Sequence, residues 1–299
     1  MAMYGFKKYG TVVVQVLLYL LTVSAFICGM VKYGLNDREK FYDGIVDEAF
    51  DQTILNSTRN AFNTGQSIIA FPAEELYESL DKDVLLKDCH AYTLAVIDSL
   101  FTGCELRTFE SDHSEIEEVV RKQFEAFEAE SGSSVSEEDI TAVTELLKSN
   151  VNAQANYLPN TFNRIIPKAG GYVNKYFTLF SDIFFPAVLF SVCAVVAVFI
   201  MNQDNFSRAA YKSVLPVWMA SVTVFIPSMI FCSYNVAERL KLKSSGMALF
   251  AQGIVNTAER EMKIWTIAAF IVFTILLAAC MVWYSAVQSK RHKKYVREV

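Results

Sequence analysis

Residues 11–31 read TVVVQVLLYLLTVSAFICGMV, 21 residues without a formal charge. At 1.5 Å per residue such a helix is about 30 Å long, the thickness of a bilayer's hydrocarbon core. Val23-Ser24-Ala25 resembles a signal-peptide cleavage site. A signal core is only about 7–15 residues, however, and this run continues through Phe26, Ile27 and Met30. The bulky Ile27 before Cys28 also argues against a lipoprotein site. The stretch is therefore read as an uncleaved anchor.

Three further runs have the same character. The expected spans are 11–33, 178–201, 213–235 and 263–287, with short polar stretches at 1–10, 202–212 and 288–299. Trp265 stands near one end of the fourth run, and Trp283 and Tyr284 near the other, as interfacial anchors do.

Residues 34–177 differ in kind. Between Asn36 and Phe177 there are 26 acidic and 12 basic side chains, a net of −14, which leaves +9 for the rest of a chain whose total is −5. The acidic part would repel phosphate, so no nucleic-acid partner is expected.

Its apolar residues recur at helical spacing. Phe41, Ile45, Ala49, Leu55 and Phe62 suggest a first helix over 37–70, with Pro72 opening the next. Leu76, Leu80, Leu85, Val96, Ile97, Leu100 and Phe101 mark a second over 73–102, divided near Asp81-Lys82-Asp83 and closed by Gly103. Ser114 with Glu117 has the spacing of a capping box for a third, followed by Ile116, Val119, Val120, Phe124 and Phe127. Ser136 with Asp139 opens a fourth, carrying Ile140, Val143, Leu147, Val151 and Leu158. Pro159 and Pro167 are expected to end it, and Gly170-Gly171 to form a joint before the second span. Strand signals are lacking. The expected fold is all-α: four transmembrane helices with an extracytoplasmic helical bundle inserted between the first and second. A loop over 236–262, with Met247, Phe250, Ile254 and Val255, reads as an amphipathic helix lying on the membrane face.

Orientation rests on Lys7, Lys8, Arg208, Lys212, Lys290, Arg291, Lys293 and Lys294, which four spans would place on one side. The positive-inside rule makes that side cytoplasmic, with both termini, and puts residues 34–177 outside the cell membrane. Arg239, Lys241, Lys243 and Arg260 in the second outer loop pull weakly the other way.

The search for chemistry is short. No nucleotide loop, nucleophile elbow or metalloprotease motif is present, and neither an enzyme nor a cofactor is expected. Cys89 and Cys104 are candidates for a disulfide in an oxidising compartment. Together with His90 and His113 they are a weak metal candidate, because adjacent helical residues point about 100° apart. Glu115, Glu117, Glu118, Glu125 and Glu128 have the spacing of a solvated helix face. Asn56-Ser57-Thr58 matches a glycosylation acceptor. The spans offer only Gln15, Thr22, Ser191, Ser221, Thr223 and Thr274 as polar groups, which more often bridge helices than conduct ions.

The expected function is binding. The outer domain engages a membrane or extracytoplasmic protein partner, or a ligand, and the chain acts as an adaptor or sensor-like accessory subunit. The short cytoplasmic loop and tail leave little room for an output domain. The alternative is a channel or transporter subunit, a homo-oligomer in the bilayer with its path along the third span, where Pro216 and Pro227 lie.

Overall fold

The computed structural model describes residues 2–65, 73–240, 242 and 245–298. Among them every regular element is helical, and four helices are long and apolar enough to cross a membrane: Tyr9–Leu35, Phe162–Met201, Phe206–Arg239 and Gly246–Lys290. In chain order the elements are α1 (Ala2–Met30), a π-helical turn (Val31–Leu35), α2 (Arg38–Asp43), α3 (Glu48–Gly65), α4 (Ala73–Ser79) and α5 (Lys82–Thr102). They continue as α6 (Ser114–Ser131), α7 (Glu137–Ala155), α8 (Phe162–Met201), α9 (Phe206–Ser233), α10 (Val236–Arg239) and α11 (Ser245–Glu298). The chain divides into two compact units: Met1–Asp37, Lys175–Val236 and Thr257–Val299 form the span unit, and Arg38–Asn174 with Ala237–Asn256 form the acidic unit.

In the acidic unit the caps define the helices. Asp81 accepts the backbone N–H groups of Asp83 and Val84 and opens α5, while Gly103, at φ +76°, closes it. Ser136 accepts the N–H of Asp139 at the start of α7. The residue before α6 is His113, with Ser114 already its first helical residue, so the expected Ser114 cap is displaced by one position.

The first expected helix is two helices. Chain direction changes between Asp43 and Glu48, and Asp47 restarts the helix by accepting the N–H of Phe50 at 2.8 Å. The restart resets the phase. The buried stripe of α3 is Phe50, Ile54, Thr58 and Phe62, whereas Ala49 is exposed and Leu55 half-buried. Pro72, expected to start the next helix, lies outside the described residues.

The core joins α3, α5, α6 and α7 through Phe50, Ile54, Leu85, Val96, Ile97, Ile116, Val120 and Val151. Tyr157 meets Phe50 edge-on at 5.5 Å and Tyr92 at 5.4 Å. Phe127, expected on the buried stripe of α6, is 54% exposed.

Two expected breaks are absent. Helix α8 runs through Pro167, Gly170 and Gly171. Gly170 is a point of close approach: a Cβ there would lie on the carbonyl oxygen of Ser99 and 3.0 Å from the carbonyl carbon of Leu100. The 236–262 segment is not one separate loop either. Helix α11 starts at Ser245, and residues 237–256 fold with the acidic unit, where Phe250 stands 6.2 Å from Tyr157 and Gly253 lies against Ile45.

The span unit inverts the usual burial pattern. Its interior is rich in small or polar residues, Thr11, Thr22, Ala187, Ala209, Ala210, Ser213, Ala220, Ser221 and Ser228, beside a few larger apolar ones such as Leu18 and Val198. Large apolar side chains point outward, among them Phe185 at 62% and Phe190 at 57% exposure. In lipid there is no gain from hiding apolar surface, and small residues let helices approach closely. Pro216 cannot donate to the carbonyl of Lys212, four residues earlier in α9. Gln15 of α1 donates its Nε2 to that carbonyl at 2.9 Å. One turn on, the Tyr19 hydroxyl and Thr223 Oγ1 are 3.0 Å apart, so α1 and α9 are joined by a polar seam.

Candidate binding surfaces

Residues 104–113 carry no regular structure and lie along α7. Asn152 and Asn156, one turn apart, read the backbone there as a β-partner would. Asn156 Oδ1 accepts from the N–H of Phe109 at 3.0 Å and its Nδ2 donates to the carbonyl of Phe109 at 2.7 Å. Asn152 does the same for Ser111, at 3.1 and 3.2 Å. The match is one of spacing: four helical residues rise about 6 Å, and two extended residues span about 6.6–7 Å. Lys148, one further turn back, donates to Asp112 at 2.8 Å and holds its carboxyl below the usual carboxylate range. Ser111 Oγ donates to Asp88 of α5. The Asn-x-x-x-Asn spacing of α7 was visible in the sequence, but its partner was not.

Beside this seam lies a polar centre. His90 Nε2 and Asp51 Oδ1 are 2.6 Å apart, so α3 and α5 share a polar tie. Thr93 Oγ1 donates to the carbonyl of Cys89 at 2.8 Å and lies 3.1 Å from the Tyr157 hydroxyl. Burial pushes the Tyr92 phenol up to about 12 and the Tyr157 phenol well above its ordinary value.

The candidate disulfide is absent from the structure. Cys89 and Cys104 are both free, Cys89 buried and Cys104 exposed. Cys89 stands 13 residues before the last residue of α5, about 20 Å of helical rise. The two residues after Thr102 cannot fold back over that length, and a disulfide needs Cα atoms within about 7 Å. Burial drives the Cys89 thiol far up in pKa, making it inert. The same geometry separates the two thiols of the weak thiol–imidazole candidate, and among the described residues no three His, Cys, Asp or Glu side chains are placed to hold a metal ion. His113, 2% exposed, faces Glu115 at 3.3 Å through Nδ1. Glu115 also accepts the N–H of Asp81, and Glu117 lies near Arg121 at 3.5 Å, so part of the acidic face is used in packing. Thr58 of the glycosylation triplet is buried in α3 and bonded to the Ile54 carbonyl.

The residues expected to set orientation all belong to helices. Lys7 and Lys8 are in α1, Arg208 and Lys212 in α9, and Lys290, Arg291, Lys293 and Lys294 in the last turns of α11. The loop expected over 202–212 shortens to Asn202–Asn205, because Asn205 caps α9 by accepting the N–H of Arg208. Lys241 and Lys243 lie outside the described residues.

The span unit contains a partly open cavity of about 260 Å³ between α1, α8, α9 and α11. Sequence reasoning missed it, since periodicity within one helix cannot report a gap among four. Glu259 and Glu261, expected in an outer loop, are buried in α11 on the span unit's side of the division. Comparison with family models, curated proteins and solved structures returned no match.

Proposed function

We propose that this chain is a membrane-embedded accessory subunit: its acidic unit lies outside the cytoplasm, binds a protein partner or ligand, and passes its state to the spans. The observation that carries this reading is continuity. Helices α8 and α11 are each unbroken, and each contributes residues to both units. A shift imposed on the acidic unit therefore has two stiff routes along which to travel. The topology has its own support. Residues 38–174 follow the first span and residues 237–256 follow the third, and they fold as one unit. If all four candidate helices cross, both segments share one side, and the basic residues near the opposite span ends argue that this side is outside.

Two experiments test the reading. Cys104 is exposed, so a membrane-impermeant maleimide should label it in intact cells. A Ser289→Cys, Cys104→Ser variant should label only after permeabilisation; the reverse pattern would overturn the orientation. The full chain, isolated in mild detergent, should bring down a stable partner, and replacing the exposed apolar residues Leu94, Phe127 or Leu146 with Glu should weaken that recovery at one or more positions. Recovery unaffected by all three would move the binding surface to the spans.

A second reading, a channel or transporter subunit, is favoured by one feature. Glu259 is 7% exposed and its Oε1 has no protein partner among the described residues. A buried carboxylate oxygen so placed beside spans is a group that can hold a cation. Current across a planar bilayer that Glu259→Gln abolishes would establish this reading over the first.

A further inference from the structure

The cavity of the span unit is lined almost wholly by apolar groups. Its wall is formed by Ala25, Phe26, Gly29 and Met30 of α1, with Phe184, Val188, Val224 and Ala269 among the facing residues. Two hydroxyls reach it, and both are spent on their own helices. Ser221 Oγ donates to the Trp218 carbonyl at 2.7 Å, and Thr266 Oγ1 to the Met262 carbonyl at 2.7 Å. Apart from the Trp265 indole N–H the wall offers little to hold water, which needs two to four polar partners. At about 260 Å³ the space exceeds the roughly 150 Å³ that accommodates benzene in an engineered apolar cavity. Left empty, it forfeits dispersion contacts along its whole lining.

One end of the cavity carries an aromatic clamp and a cation. Tyr33 meets Phe184 edge-on at 5.4 Å and stacks on Trp265 at 6.1 Å. Gly29 admits the Phe184 ring, since a Cβ there would already be 3.0 Å from it. Lys32, in the π-helical turn, places its Nζ 5.6 Å from the Phe184 ring centre and 4.2 Å from that of Phe185. Among the described residues no carboxylate lies within ion-pair distance of Lys32, whereas buried Glu261 has Arg260 at 3.7 Å. A cation without a counter-ion, beside the Phe184 ring that lines a largely apolar slot between membrane spans, fits a molecule with one anionic end and one hydrocarbon tail.

We propose that the slot lined by Gly29, Phe184, Ser221, Trp265 and Ala269 holds an acyl chain of an anionic phospholipid from the bilayer, with Lys32 engaging its headgroup phosphate. The proposal is independent of which side of the membrane the acidic unit occupies. Trp265 lines the slot and supplies the probe. The full chain, with Trp218→Phe and Trp283→Phe so that Trp265 is its one tryptophan, is reconstituted in phosphatidylcholine vesicles. Chain-brominated phosphatidylglycerol or chain-brominated phosphatidylcholine is then titrated in, and quenching of Trp265 is followed. Phosphatidylglycerol should be preferred roughly fivefold, the factor one lysine contributes toward an anionic lipid surface. Lys32→Gln should bring the preference to about one, and Ala269→Phe, which fills the slot, should reduce quenching by both lipids. Lys32 is half-buried and its replacement leaves the helix seams intact, so this arm stands even if Ala269→Phe does not fold. Equal quenching by the two lipids, a preference that survives Lys32→Gln, or quenching that a folded Ala269→Phe leaves unchanged would overturn the proposal. Dibromostearate that quenches undiminished by excess phosphatidylglycerol would overturn the phospholipid assignment.

Discussion

Phe50 and Phe190 are the same side chain in two different solvents. In the acidic unit Phe50 is wholly buried against Tyr157; in the span unit Phe190 is 57% exposed, while serines, threonines and alanines make up much of the interior. The contrast teaches that burial has a different meaning in each half. Facing water, the chain hides its large apolar groups because their transfer is favourable by about 25 cal/mol per Å². Facing lipid, it gains nothing by hiding them and reserves the interior for close approach and polar ties. Yet both units meet one demand in the same way, since a carboxamide answers a backbone group without a helical partner: Asn152 and Asn156 in one, Gln15 in the other.

Truncating the two phenylalanines probes that contrast most strongly. Phe50→Ala should cost about 3–5 kcal/mol, the range for a large core aromatic, and lower the melting midpoint of the full chain in mild detergent. Phe190→Ala should leave that midpoint nearly unchanged. Equal losses would mean that the span unit has a conventional core after all.

The neighbouring glycines of α8 give a sharper internal control. Gly170→Ala should destabilise the acidic unit by roughly 1–3 kcal/mol, because the added methyl must displace the end of α5. Gly171 has open space around its Cβ position, so Gly171→Ala should be neutral or stabilise by up to about 1 kcal/mol through helix propensity. Urea unfolding of each variant compares them directly.

Asn156→Leu and Gln15→Leu set the two carboxamides against each other. Asn156→Leu leaves the backbone of Phe109 unanswered and should cost about 1–3 kcal/mol; faster hydrogen exchange at the Phe109 amide would localise the loss. Gln15→Leu should cost less, about 0.6–2 kcal/mol, because polar groups in membranes find other partners. A larger cost for Gln15 would reverse the ranking of the two seams.

The smallest effect is read against pH. Tyr92 ionises near 10 in the unfolded chain and near 12 in the native one, because burial disfavours the phenolate. The unfolded state therefore binds fewer protons between these values, and stability is full below pH 10 and falls as pH rises toward 12. Tyr92→Phe should flatten the loss seen by near-ultraviolet circular dichroism between pH 10 and 11. An unchanged slope would assign it to Tyr157, whose phenol is shifted in the same direction.

The sequence by itself determined the helical class, the four apolar spans, and the helix boundaries at Asp81, Gly103 and Ser136, because hydropathy and capping act among residues a few positions apart. Three-dimensional packing decided the rest. Gly170-Gly171 read as a joint and is a contact, because the atom that forbids a side chain at Gly170 belongs to Ser99. The 236–262 segment read as a membrane-surface loop, yet residues 237–256 belong to the acidic unit, because Gly253 fits against Ile45 and Phe250 approaches Tyr157. The break before Asp47 put Phe50 and Ile54 in the α3 core where Ala49 and Leu55 were expected, since neighbouring helical residues point about 100° apart, while Phe62 is buried as its spacing predicts. The slot beside Lys32 exists only where four helices fail to fill space, and no single helix carries that in its own pattern.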